Sequence, residues 1–112
     1  DGDPVFAVIG SALECAVDDL TRAGDRLLED AGDDVFAPGS AAVNFLMLTG
    51  TATGGWLMAR AALAARDADE AAAPRVATAR FFAEHLLARC GGYADAVVAG
   101  SDAIMALSED EL

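Results

Sequence analysis

Few side chains in this sequence could carry chemistry, and their spacing decides which chemistry is open to them. His85 is the single histidine, and it follows Glu84 directly. Metal sites on helices use His-Glu-x-x-His or Glu-x-x-His spacing, which sets the ligands on one helical face. Adjacent helical residues instead point about 100° apart, so Glu84-His85 makes no metal site and His85 reads as a surface or interface residue. Ser11, Ser40, Ser101 and Ser108 have no histidine near them in sequence, and none lies in a Gly-x-Ser-x-Gly elbow. Cys90 follows His85 by five residues, on a different helical face. The 19 Asp and Glu single out no acid–base couple and read mostly as a solvated face. The expectation is a chain with no catalytic, cofactor-binding or metal-ligating residue of its own.

Two further groups of residues matter for contact rather than catalysis. The run Gly50-Thr51-Ala52-Thr53-Gly54-Gly55 has the composition of a phosphate cradle, but such loops follow a strand and open a helix. Here an apolar helical phase continues through the glycines, which points to close packing against a neighbour. Core packing is expected for Trp56 and for one of Phe81 and Phe82, because large aromatics dominate cores. The other phenylalanine must point elsewhere and is a candidate for contact with a partner. Arg60 is a lone charge in an uncharged stretch, and a buried charge without a partner is costly. An antiparallel hairpin turning near residue 70 would bring its guanidinium within reach of Glu84. The candidate interface or structural residues are therefore Trp56, Arg60, Phe81, Phe82 and Glu84.

The elements that position these residues are helices. Asp3-Pro4 supplies an N-cap acceptor and a proline at the first helical position. Phe6, Leu13, Leu20 and Leu27 recur every seven residues, with Ile9, Val17 and Ala31 between them, which predicts a helix over about 4–32. Asp18 and Arg22 form an acid-before-base pair on its outer side. Residues 35–66 contain no acid. Val43, Leu46, Gly50, Thr53, Leu57, Ala61 and Ala64 mark one apolar face there, and Phe45, Leu48, Ala52, Trp56, Ala59 and Leu63 mark another. A helix apolar nearly all round must be covered nearly all round, so the second helix, about 39–66, is expected at the centre. Pro74 restarts the chain after a short polar connection, 66–73. Val76, Ala83, Cys90, Val97 and Ile104 keep strict seven-residue register, which predicts a third helix over about 74–107, bent at Gly91-Gly92. The fold expected is all-α, an up-down-up bundle of three long antiparallel helices, ending in a frayed acidic tail at 108–112.

Composition narrows the function classes. The chain has 112 residues, enough for one domain, and 19 acids against 7 Arg with no Lys, a net charge of −12. That charge repels nucleic acid and anionic membrane alike. A membrane span in the second helix is disfavoured by Asn44, Arg60 and three Thr, and by flanks without Lys or an aromatic belt. Cys15 and Cys90 lie 75 residues apart, which is neither a disulfide framework nor a zinc spacing. With acidic first residues where a secretory leader needs cations, a cytoplasmic protein with reduced thiols is expected.

Two segments carry a family resemblance: Gly54-Gly55-Trp56-Leu57-Met58-Ala59-Arg60-Ala61-Ala62-Leu63-Ala64-Ala65, and Ala79-Arg80-Phe81-Phe82-Ala83-Glu84-His85-Leu86-Leu87 running on to Ala99-Gly100-Ser101-Asp102-Ala103-Ile104-Met105-Ala106-Leu107. They resemble the helical C-terminal domain of the large bacterial acyl-CoA dehydrogenases, the subgroup with methylthiopropanoyl-CoA dehydrogenases. The resemblance covers roughly 40–112 well and 4–32 by helical pattern only. It implies a parent flavoprotein of fatty-acid metabolism, in which a carboxylate removes the α-proton of an acyl-CoA and FAD accepts hydride from the β-carbon. The flavin site and the catalytic carboxylate would lie in upstream domains, and no position here matches them. FAD and acyl-CoA are thus expected only in the parent. Residues 1–112 are expected to be a single C-terminal helical fragment of that enzyme, starting without Met, packed on its catalytic body and forming a homodimer. The alternative is a free-standing helical interaction module without enzymatic activity.

Overall fold

The computed structural model describes residues 3–68 and 72–112. Among them every regular element is helical: α1 (Pro4–Asp30), α2 (Ala37–Ala68), α3 (Ala72–Phe81) and α4 (Cys90–Val98). A π-helical turn, Phe82–Leu86, and a 3-10 turn, Leu87–Arg89, join α3 to α4 without a break, so residues 72–98 make a third long helix. The connection expected at 66–73 is largely helical, and residues 69–71 lie outside the described ones.

The start of α1 follows from its sequence. Asp3 Oδ1 accepts the Val5 N–H at 2.9 Å, and Pro4 occupies the first turn. The predicted stripe is present with its centre moved. Ile9, Ala16 and Ala23 are buried every seventh residue, while Phe6, Leu13, Leu20 and Leu27 pack partly buried beside them. Val17 is half exposed and leaves the stripe. Arg22 does not take Asp18 but bridges Asp19 at 3.2 Å and Asp95 at 3.0 Å, tying α1 to α4.

Small side chains make the core. Ala41, Ala52, Ala59 and Ala62 of α2 face Ala16, Ala23, Ala79, Ala83 and Ala94, and Leu48 and Cys90 are the largest side chains that are fully buried. Alanine lets helix backbones approach closely at no cost in side-chain entropy. The expectation that α2 is covered on nearly every side is corrected here. Its buried face carries Ala41, Leu48, Ala52, Gly55, Ala59 and Ala62, whereas Val43 and Leu46 on the opposite face are 71% and 70% exposed. The two neighbouring long helices enclose one side of α2 and leave the other to solvent.

The third helix also departs from expectation. It ends at Val98 rather than near 107, because Gly100 adopts φ 79° and its N–H reaches the Val97 carbonyl at 3.3 Å. Glycine takes this left-handed conformation freely and stops the helix. Ile104 and Leu107, placed on the seam by spacing alone, are exposed beyond that stop. The irregularity expected at Gly91-Gly92 lies upstream at 82–89, and both glycines sit within regular α4. The acidic tail forms a 3-10 turn, Glu109–Glu111, with the Ser108 N–H donating to Glu111 Oε1 at 3.0 Å.

Candidate functional site

The features singled out in sequence converge on the seam between α2 and the third helix. A β-carbon at Gly54 would stand 3.0 Å from Cζ of Phe82, and one at Gly55 would stand 2.6 Å from a Leu87 methyl. The two glycines therefore admit two large side chains onto the α2 backbone. The π-turn is what delivers both. The Leu87 N–H bonds to the Phe82 carbonyl, an i→i+5 closure that brings Phe82 and Leu87 toward one face, where α-helical spacing would set them well apart. Leu87 is buried and Phe82 packs partly buried on the core.

The other candidates separate. Phe81 points away from the core, 56% exposed, with its ring stacked on His85 at 4.9 Å between centroids. One phenylalanine of the pair packs inward and the other does not, as adjacent helical positions require. Trp56 is not core: it is 47% exposed, and it rims a groove of about 190 Å³ with Leu13, Val17, Leu20, Ala52 and Thr53. Arg60 does not reach Glu84. Its guanidinium lies over the Trp56 ring at 4.9 Å, and Glu84 Oε1 accepts from Arg80 Nε at 3.0 Å instead. The assumption that failed was burial: Arg60 is exposed, so water and an aromatic face satisfy it.

Sequence reasoning missed a second contact at the other end of the molecule. Asp34 Oδ1 accepts the Phe36 N–H at 2.9 Å just before α2, and its other oxygen accepts the Ser101 hydroxyl at 2.5 Å. Ser101 is buried, and these bonds join the first interhelix turn to the chain leaving α4. They hold the Asp34 carboxyl below its ordinary 3.8, the Ser101 bond first and the Phe36 N–H second. The available signals were an aspartate ahead of an apolar helix and a glycine directly before the serine.

Cys15 is exposed and Cys90 buried, both as free thiols. Burial, and then the Asp19 charge, push the Cys90 thiol up. No three His, Cys, Asp or Glu among the described residues are grouped as metal ligands would be, and no described helix is long and apolar enough to cross a membrane.

A seam of small residues closed by a glycine pair packs α2 against the third helix. The family model described as "Acetyl-CoA dehydrogenase C-terminal like" matches residues 2–108. The chain belongs to this acetyl-CoA dehydrogenase C-terminal-like family. No curated protein and no solved structure matches it. In this chain the candidate phosphate cradle at residues 50–55 is not built as one. Its glycine run lies inside α2, where the N–H groups serve the helix, and Phe82 and Leu87 cover Gly54 and Gly55.

Proposed function

We propose that this chain is the non-catalytic packing and assembly domain at the C-terminus of an FAD-dependent acyl-CoA dehydrogenase, of the methylthiopropanoyl-CoA dehydrogenase subgroup. The parent oxidises acyl-CoA to 2,3-enoyl-CoA in upstream domains, and this domain packs on that catalytic body and takes part in subunit contacts. The match over residues 2–108 carries the reading, because it takes in nearly the whole chain. Contacts between helices support an up-down-up bundle: Phe6 lies against Arg66, Gly54 against Phe82, and Arg22 against Asp95. Two free thiols fit a reducing, cytoplasmic setting.

The test is a calorimetric titration of the purified chain with FAD and with an acyl-CoA. The expected outcome is a folded helical protein that takes up neither. Stoichiometric flavin uptake would place redox chemistry in these residues and overturn the reading.

A further inference from the structure

We propose that the outer face of α2 is a self-pairing surface, which joins two copies of this chain antiparallel across a two-fold axis between Thr53 and Gly54. The face is exposed and apolar, with Val43 71%, Leu46 70% and Leu57 50% accessible. Its residues keep the spacing of a helix–helix seam. Val43, Gly50, Leu57 and Ala64 recur every seven residues, with Leu46, Thr53 and Arg60 between them. Nothing in the chain's own fold uses this register.

Self-complementarity identifies the occupant. A two-fold axis sets residue i of one copy against residue j of the other, and j against i. With the axis between Thr53 and Gly54, Val43 meets Ala64, Leu46 meets Ala61, and Leu57 meets Gly50. Each bulky side chain then faces a small one. Gly50 has no heavy atom within 4 Å of where a β-carbon would stand, so the space opposite Leu57 is open.

Charge selects the same partner. The chain carries −12, yet residues 35–66 hold none of its 19 acids. Two copies repel through their other faces and approach most favourably here. Arg60, the one charged residue between 35 and 65, comes level with Met47 of the other copy. The two Arg60 side chains then lie about 20 Å apart along the helices, beyond a Debye length. A specific dimer through this face needs to bury about 600 Å² or more per copy, the lower end for specific interfaces. This deepens the assembly part of the proposed function. Its failure leaves packing on the catalytic body, and the flavin titration, unaffected.

The test is light scattering coupled to size exclusion on the 112-residue chain, from low micromolar to several hundred micromolar. The mass is expected to rise from 11.4 kDa toward twice that value. Leu57→Glu and Gly50→Leu should each weaken association by about tenfold or more. Both positions are exposed, so circular dichroism should show the helices intact. In a Cys15→Ser background, Thr53→Cys should cross-link between copies under mild oxidation, and Leu28→Cys, on the exposed side of α1, should not. A monomer at every concentration, wild-type association by either seam variant, or equal cross-linking at positions 28 and 53 would overturn the proposal.

Discussion

A single β-carbon has opposite consequences at two glycines of α2. At Gly50 it meets nothing, so Gly50→Ala gains helix propensity and should stabilise the dilute chain by about 0.5–1 kcal/mol. At Gly55 it would press on Leu87, which is buried and has no room to retreat. Overpacking of about 1–3 kcal/mol then outweighs the same propensity gain, and Gly55→Ala should be destabilising by about 1 kcal/mol. Urea unfolding of the two variants checks the change of sign. Asp34 gives a pH-dependent counterpart. Its folded pKa is depressed below 3.8, so its contribution is full above the unfolded value and is lost as pH falls through the folded one. Ser101→Ala removes the largest cause of that depression. The variant should have a lower melting temperature at neutral pH, and the gap to wild type should close on acidification below about pH 4. The two thiols should differ as plainly, with iodoacetamide labelling Cys15 readily in the native state and Cys90 only on unfolding, read by mass spectrometry.

At the scale of the helices, burial decides the cost of a truncation more than size does. Leu48 is fully buried, and Leu48→Ala should cost about 3 kcal/mol. Trp56 is larger but already half in water, so Trp56→Ala should cost only about 1–2 kcal/mol. Thermal unfolding that ranks Trp56→Ala as the more damaging would contradict this reading of α2. The same distinction marks how far the sequence was legible. Periodicity located all three long helices and both apolar faces of α2, because a repeat of three to four residues belongs to local geometry. It gave no sign of which face the neighbours cover, since alanine and glycine spacing is equally compatible with either. The Cys90–Val97 register was read correctly, but its extension to Ile104 ignored that a glycine at position 100 can leave the helix by taking positive φ. The Phe82–Leu87 closure was out of reach, because a π-turn depends on what it packs against. Here that is a glycine pair some thirty residues upstream.

For the molecule as a whole, shape and charge act together. The chain extends 62 × 27 × 18 Å with a radius of gyration of 17.7 Å, against about 13 Å for a compact domain of this length. A long, thin bundle cannot cover its own middle helix. The net charge of −12 also disfavours any compact or associated state at low ionic strength. Added salt should therefore raise the melting temperature and strengthen association, the opposite of what a domain held by surface ion pairs would show. Such a domain is suited to lie against a larger body. The most direct measurement is to delete these residues from the acyl-CoA dehydrogenase proposed above as the parent and record flavin content, flavin reduction by acyl-CoA, assembly state and melting temperature. The account predicts a truncated enzyme that keeps its flavin and reduces it, while its melting temperature falls and its assembly weakens. Loss of flavin from a body that remains folded, or truncation with no effect on stability and assembly, would contradict it.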